Sequence, residues 1–220
     1  MAARSPKPEA YLMQRDKKLA KLIAIFGRAD IGKEKREPFD ALARAVISQQ
    51  LSTAAAGSIA KRLEAVHGKR PFRPSRILAL GSEPLRACGI SNSKIRTVTG
   101  IAEACIAGDI AHEVFEQLDD QQVFRKLTSY WGIGAWTAEV FMMYGLNRLD
   151  TLALGDGGLI RAHRMLYPNA KSLELTAQRW RPYRAVAAWY LWRFLDHPEC
   201  HEEVLGRRKR NPGRQIRNSP

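Results

Sequence analysis

Residues 127–139 read LTSYWGIGAWTAE, and this stretch decides the fold. Helical patterns at about 120–130 and 135–145 lie on either side of Gly132-Ile133-Gly134. Two glycines separated by one apolar residue permit a hairpin tight enough to expose consecutive backbone N–H groups at the start of a helix. Such groups, together with the helix dipole, suit a phosphate oxygen. Taken alone the stretch is a weak signal, because glycines also make simple helix turns.

The hydrophobic pattern is helical along nearly the whole chain. Residues 11–26 place their apolar side chains on one face of a predicted helix, and Ser48-Gln49-Gln50 separates two consecutive helices. Ser91-Asn92-Ser93 is typical of a helix start, and that helix runs to about Gly108. No segment alternates with period two for long enough to predict a strand. The predicted class is all-α, with further helices at 157–167, 173–179 and 183–195.

The charge balance indicates a polyanionic partner. The chain has 220 residues with 45% hydrophobic and 26% charged residues, close to the globular average, which argues against a disordered or fibrous protein. Lys and Arg number 36 against 22 Asp and Glu, so the net charge is +14. The tail at 207–220 holds six basic residues and no acidic one, and the remainder is still +8. The excess of basic residues favours nucleic acid over a membrane surface as the partner. Two interpretations of the tail stay open: a disordered, solubilising end, or an arm that contacts DNA non-specifically.

Several other classes do not fit the sequence. No apolar run reaches the roughly 18 residues of a membrane-spanning helix, and Met1–Glu9 lacks the apolar stretch of a signal peptide. Three widely spaced cysteines form neither a disulfide framework nor a four-cysteine iron–sulfur site. His197 and His201 have a zinc-like spacing, but Pro198 interrupts it and no second ligand pair lies nearby. We therefore expect no metal held by side chains, and a reducing cytoplasmic or nucleoid location.

The hairpin stretch resembles the helix-hairpin-helix element of the base-excision DNA glycosylase superfamily. In that family an apolar loop and an aspartate follow the element; here they are residues 151–155 and Asp156, which stands 22 residues after Gly134. Two more blocks resemble the 3-methyladenine DNA glycosylase II branch, namely 45–52 and 179–192. The resemblance covers about residues 38–195.

This resemblance implies one module, 1–206, made of two helical lobes with a cleft between them. One lobe spans about 36–150, and the other combines about 1–35 with 151–206. The resemblance also implies the partner, which is double-stranded DNA carrying a damaged base. We expect a monomer without membrane association.

By resemblance, the catalytic residue is Asp156. Cleavage of an N-glycosidic bond builds positive charge on the sugar, which a carboxylate stabilises while it orients a water molecule. Asp156 also stands where a helix N-cap belongs, and the two roles are compatible. An enzyme that flips a base out of the duplex must fill the gap, and the wedge position of the family falls on Gln50. The alternative for Gln50 is a polar residue that ends a helix.

The family's base pocket falls on Trp136 and Trp192. An alkylated purine is cationic, so electron-rich aromatic side chains attract it. Branches that also cut the strand carry a lysine at the position of Trp136; an indole cannot form a Schiff base, so a monofunctional enzyme is implied. Core packing is the alternative for both tryptophans, and it is the prediction for Trp180 and Trp189.

DNA-backbone contacts are expected from the hairpin and from basic residues near it. The resemblance also implies a monovalent cation, Na⁺ or K⁺, on hairpin main-chain carbonyls, and no other cofactor. Two departures stand out: Trp131 replaces a proline common before the hairpin glycine, and Gly157-Gly158 replace bulkier residues, which puts the substrate range in doubt. The predicted backbone-binding residues are Gly132, Ile133, Gly134, Thr137, Lys94 and Arg96.

The function implied by the resemblance is hydrolysis of the N-glycosidic bond of alkylated purines in duplex DNA, leaving an abasic site. Two alternatives stay open at this stage. One is a non-catalytic protein that binds damaged DNA through the same hairpin. The other is a glycosylase for a different lesion, such as a deaminated purine.

Overall fold

The structure, a computed structural model, describes residues 7–31, 36–68 and 71–206. Within these ranges the chain forms fourteen α-helices, two short 3₁₀ helices and no β-strand, which confirms the predicted all-α class. None of these helices is long and apolar enough to cross a lipid bilayer. The α-helices are α1 (Pro8–Arg15), α2 (Lys17–Phe26), α3 (Pro38–Ser48), α4 (Thr53–His67), α5 (Pro74–Leu80), α6 (Ser82–Ala87), α7 (Asn92–Ile106), α8 (His112–Glu116), α9 (Asp120–Thr128), α10 (Ala135–Tyr144), α11 (Gly157–Leu166), α12 (Leu173–Ala177), α13 (Arg184–Asp196) and α14 (His201–Leu205).

The apolar pattern of residues 11–26 predicted one helix, and the structure divides it at Asp16. One carboxylate oxygen of Asp16 accepts hydrogen bonds from the backbone N–H groups of Lys18 and Leu19, at 2.9 and 3.2 Å, and so begins α2. The other accepts the indole N–H of Trp180 at 2.9 Å. Aspartate competes in this way for backbone donors that a continuous helix would use internally. The break also ties the two N-terminal helices to the C-terminal part of the chain.

Buried apolar side chains form two clusters, one in each lobe. The first extends from Phe39 on α3 to Met142 on α10. The second combines α1 and α2 with side chains from Met143 to Val204. The predicted two-lobed architecture is confirmed, while the bounds of the lobes stay a prediction. The basic tail at 207–220 lies outside the described residues.

Helix α10 contributes to both clusters. Phe141 and Met142 pack in the first cluster, whereas Met143 is buried in the second and Trp136 packs against it. Successive residues of an α-helix point about 100° apart, so one helix can present different faces to two cores. Because α10 begins directly after the glycine hairpin, the hairpin is anchored to both lobes.

Candidate active site

A cleft of about 730 Å³ opens between the two lobes. Residues of α3 and α4 line one side, and residues of α10, α11 and α13 line the other. The volume lies in the range of pockets that enclose a small organic group. The cleft brings together Trp136, Asp156 and Trp192, which come from three separate blocks of the sequence.

Asp156 is held by three hydrogen-bond donors at the N-terminus of α11. Its Oδ1 accepts the backbone N–H of Leu159 at 2.6 Å, which is the predicted N-cap, and the indole N–H of Trp192 at 3.1 Å. Its Oδ2 accepts the indole N–H of Trp136 at 2.6 Å. Hydrogen bonds to a carboxylate are short and strongly orienting. The half-buried carboxyl group is therefore fixed in one orientation on the wall of the cleft.

The two tryptophans have a role that the sequence did not indicate. Their expected task was to offer ring faces to a base, but both also direct the indole N–H to Asp156. The ring of Trp192 stacks on Tyr144 with centroids 6.3 Å apart. Trp136 and Trp192 thus line the cleft and orient the carboxylate. Trp180 is fully buried as predicted, whereas Trp189 is half-buried and also lines the cleft.

The glycines after Asp156 differ in their surroundings. A Cβ atom at Gly158 would lie 3.0 Å from the Asp156 Oδ1 and 3.6 Å from both Trp192 and Leu195. A Cβ atom at Gly157 would meet no atom within 4 Å. An added Cβ at Gly158 would therefore be tight only against the Asp156 carboxylate, and of the two glycines only Gly157 leaves open space.

A second carboxyl group, that of Glu139, lies on α10 one turn beyond Trp136. Burial raises the pKa of Glu139 from 4.5 to about 7, and the nearby charge of Asp156 contributes. The sequence suggested no role for Glu139, because a glutamate on a helix is more often solvated. At neutral pH this carboxyl group is divided between its protonated and ionised forms.

We expect Glu139→Gln to stabilise the protein at pH 8 and to change its stability little at pH 4. The folded protein binds the Glu139 proton more tightly than the unfolded chain does, so the wild type loses stability as the pH rises from about 4.5 to about 7. Glutamine stays neutral across this range. Because Glu139 is half exposed, we expect a gain of about 1–2 kcal/mol in the free energy of unfolding. Urea unfolding at several pH values measures it, and a gain independent of pH contradicts the shift.

The loop between α3 and α4 presents the predicted wedge residue, Gln50, to solvent. Gln50 is exposed and has a φ of 56°, a left-handed conformation that is uncommon for glutamine. Its neighbour Gln49 points to the hairpin instead. The Gln49 side-chain amide donates to the Gly132 carbonyl at 3.0 Å and to the Thr137 hydroxyl at 2.8 Å. Gln49 therefore fixes this loop, residues 49–52, to the hairpin; we call it the wedge loop after the predicted role of Gln50.

Lys94 supports the same loop from the side of α7. Its Nζ donates to the carbonyls of Ile47 and Gln49, at 2.8 and 2.9 Å. Burial lowers the pKa of the Lys94 ammonium. An ammonium has three donors, so one remains for the predicted phosphate contact. The sequence could not reveal the two internal bonds, because they join residues more than 40 positions apart.

The glycine hairpin packs directly on α7. Gly132 has a φ of +78°, and a Cβ atom there would lie 2.0 Å from the Thr97 hydroxyl oxygen. Ile133 is buried in the first cluster and so fixes the hairpin to the core. Gly134 is the N-cap of α10, and the first N–H groups of that helix have no partner within it. The Thr137 side chain is buried, and its hydroxyl accepts a hydrogen bond from the Gln49 amide.

The histidines with zinc-like spacing have separate partners. His197 pairs with Glu199 at 2.8 Å, and the His201 Nε2 lies 2.7 Å from the Phe194 carbonyl. In the part of the chain that the structure describes, no three His, Cys, Asp or Glu side chains are arranged to hold a metal ion.

We expect Gln49→Ala to lower the free energy of unfolding by about 1–2 kcal/mol, because two hydrogen bonds between the loop and the hairpin are lost. Gln50→Ala is the matched control, since its side chain is exposed and alanine meets the same backbone strain. Urea unfolding compares the two variants. Equal losses in both would contradict the role assigned to Gln49.

Residues 43–184 match the model of a family described as the HhH-GPD superfamily of base excision DNA repair proteins. The matched range contains the wedge loop, the hairpin and Asp156. The chain belongs to this superfamily. This confirms the membership predicted from four sequence blocks, which are residues 45–52, 127–139, 151–156 and 179–192.

Proteins similar to this HhH-GPD protein are named as 3-methyladenine glycosylases or glycosidases. The chain is 35% identical over 196 residues to DNA-3-methyladenine glycosylase 1 of Schizosaccharomyces pombe, covering 85% of this chain and 86% of the relative. The solved structure of an S. pombe 3-methyladenine DNA glycosylase with abasic DNA has a TM-score of 0.76 at 34% identity, covering 87% and 97% of the two chains. A DNA-3-methyladenine glycosidase from Bacillus halodurans has a TM-score of 0.68 at 33% identity, covering 93% and 98%. The predicted 3-methyladenine DNA glycosylase branch is confirmed.

Proposed function

We propose that this protein hydrolyses the N-glycosidic bond of alkylated purines, of the 3-methyladenine type, in double-stranded DNA. The observation that carries the proposal is Asp156, held by Leu159 and two indole N–H groups on the wall of a cleft between two lobes. The names of the S. pombe and B. halodurans relatives support it. The products are the free base and an abasic site.

The target nucleotide must leave the stack before it reaches Asp156. Rotation out of the duplex costs a few kcal/mol, and least for a damaged base. Gln50 fills the vacated space, because it stands exposed on a loop that Gln49 fixes to the hairpin. The hairpin holds a backbone phosphate of the same DNA through the N–H groups at the start of α10.

Bond cleavage needs little activation of the leaving group. An alkylated purine is already cationic, and as the bond from C1′ to nitrogen breaks, the electron pair moves to the base and neutralises it. The sugar gains oxocarbenium character, which the Asp156 carboxylate stabilises. A water molecule oriented by that carboxylate adds to C1′, and its proton passes through Asp156 to solvent. The rings of Trp136 and Trp192 attract the cationic base.

The proposed activity is hydrolytic and leaves the strand uncut. A strand-cleaving glycosylase forms a Schiff base between an amine and C1′. Trp136 stands at the position where such relatives carry their lysine, and an indole has no amine to offer. We therefore expect an abasic strand that stays intact.

A structural Na⁺ or K⁺ at the hairpin is part of the proposal. The Gly132 carbonyl accepts one hydrogen bond, from Gln49, and the Tyr130 carbonyl accepts one from the Ile133 N–H. Each carbonyl keeps a second lone pair, so the oxygen donors fit a hard cation. When bound, the cation adds positive charge beside the phosphate.

The proposed setting is a monomer that meets duplex DNA in the cytoplasm or nucleoid. The net charge of +14 supports a polyanionic partner. A monomer suffices because both lobes of one chain line the cleft.

Base release from defined duplexes tests the proposal. Each duplex carries one lesion, either 3-methyladenine, 7-methylguanine or the deaminated purine hypoxanthine, and the free base is measured with enzyme in excess. We expect release of the alkylated bases and slower release of the neutral hypoxanthine. Preferential release of hypoxanthine favours the alternative substrate. Tight binding without release of any base favours the non-catalytic alternative.

A further inference from the structure

Trp131 is an exposed indole at the edge of the hairpin. It immediately precedes Gly132 and is 51% exposed, the most exposed tryptophan among the described residues. A large apolar side chain in solvent contributes little to the core, so packing does not explain it. The side chain also lies next to the backbone that would receive a phosphate.

The guanidinium of Arg96 covers the Trp131 ring. The Arg96 Cζ lies 4.1 Å from the ring centroid, within the range of a cation–π interaction. The two residues meet because Gly132 packs against Thr97, the next residue on α7. The ring restricts the guanidinium to a position beside the hairpin.

The guanidinium keeps its hydrogen-bonding capacity for another group. Across the described ranges Arg96 forms no ion pair, although its five N–H donors can bind an anion in a fixed, bidentate geometry. Arg96 and Trp131 line a depression of about 270 Å³ together with Glu103, which lies two turns further along α7. The Glu103 carboxylate repels an anion from the end of the depression that it lines. An anion therefore binds at the opposite end, beside Arg96 and the hairpin.

We propose that Arg96, positioned by Trp131, binds a second phosphate of the DNA strand that the hairpin holds. This inference rests on the proposed function for the presence of DNA. It assigns the backbone contact predicted for Arg96 to a second phosphate and adds Trp131 as the residue that positions Arg96. Trp131 orients the guanidinium and thereby lowers the entropy lost when the phosphate binds.

Salt-dependent DNA binding by the full chain tests the proposal. The probe is a fluorescein-labelled duplex with a tetrahydrofuran abasic analogue, titrated at five salt concentrations. The variants are Arg96→Ala, Trp131→Ala, Trp131→Phe and the double variant Arg96→Ala with Trp131→Ala. Arg164→Ala is the matched control, because it removes an exposed arginine from the last turn of α11, away from Asp156.

The expected results separate a phosphate contact from general charge. Arg96→Ala reduces the slope of log K against log salt by about 0.9, the value for one phosphate, whereas Arg164→Ala leaves it unchanged. Trp131→Ala lowers the affinity for DNA about two- to fivefold, whereas Trp131→Phe retains most of the wild-type affinity. In the Arg96→Ala background, Trp131→Ala does not lower the affinity further. An unchanged slope in Arg96→Ala overturns the proposal, and so does an equal effect of Trp131→Ala in both backgrounds.

Single-turnover base release at saturating enzyme distinguishes this inference from the proposed function. We expect the wild type and the control Arg164→Ala to release base at the same rate once DNA is saturated. If the wild type releases base and Arg96→Ala leaves the salt slope unchanged, only the phosphate contact is refuted. If Arg96→Ala changes the slope but neither the wild type nor any variant releases base, the proposed activity is refuted and the phosphate contact is supported.

Discussion

Asp156→Asn should slow base release from methylated duplex DNA by at least about 100-fold while leaving the affinity for DNA nearly unchanged. The carboxylate is the negative charge that three donors fix on the wall of the cleft. Asparagine has the same size and is a good N-cap, so α11 keeps its start. What is lost is the charge opposite the developing oxocarbenium ion, together with one acceptor, because the new amide turns a donor towards an indole N–H.

Asp119→Asn is the control for this substitution. Asp119 is also an N-cap aspartate, at the start of α9, and it is exposed on the surface. Single-turnover release of free base with enzyme in excess gives the rate of the chemical step, and a binding titration gives the affinity. We expect Asp119→Asn to match the wild type in both. If Asp156→Asn releases base at the wild-type rate, the catalytic role of this carboxylate is wrong.

Gly132→Ala should lower the free energy of unfolding by about 2–4 kcal/mol and weaken DNA binding as well. A side chain at a φ of +78° costs about 1–2 kcal/mol, and the new Cβ would lie 2.0 Å from the Thr97 hydroxyl oxygen. The hairpin must then move away from α7. That movement shifts the N–H groups at the start of α10 and strains the Gln49 bond to the Gly132 carbonyl.

Gly134→Ala is the matched control, because Gly134 has a negative φ of −91° and an added Cβ would meet no protein atom within 4 Å. Thermal and urea unfolding compare the stabilities of the two variants. We expect Gly134→Ala to be as stable as the wild type, with any loss confined to DNA affinity, since its methyl group faces the space where a phosphate would approach. Equal stability of the two variants would show that the hairpin does not depend on its contact with α7.

The predictable parts of the molecule were those set by local sequence. The hairpin follows from two glycines one residue apart, and the N-cap role of Asp156 from its place before a helical pattern. Family resemblance added the pairing of Asp156 with Trp136 and Trp192, which lie 20 and 36 residues away along the chain. It could not reveal that both indoles donate to the carboxylate, because a motif specifies residue types but not the atoms that meet.

The parts that escaped prediction depend on contacts between distant residues. The sequence indicates only that Gln49 lies at the junction of two helices, yet its side chain forms hydrogen bonds with hairpin residues 83 and 88 positions away. The resemblance predicts Lys94 at a phosphate, and in the structure its ammonium donates to two main-chain carbonyls. Asp16 divides a helix that its apolar pattern predicts to be continuous, because its carboxylate accepts two backbone N–H groups of α2 and the indole N–H of the distant Trp180.

The central claim, hydrolytic release of an alkylated purine, is tested most directly by the products of a single turnover on duplex DNA that carries one 3-methyladenine. Mass spectrometry identifies the small molecule set free, and denaturing electrophoresis reports the state of the strand before and after alkali. We expect free 3-methyladenine and a strand that stays intact until alkali cleaves it at the abasic site. A methylated base that stays on the DNA at saturating protein, or a strand cut without alkali, would contradict the claim.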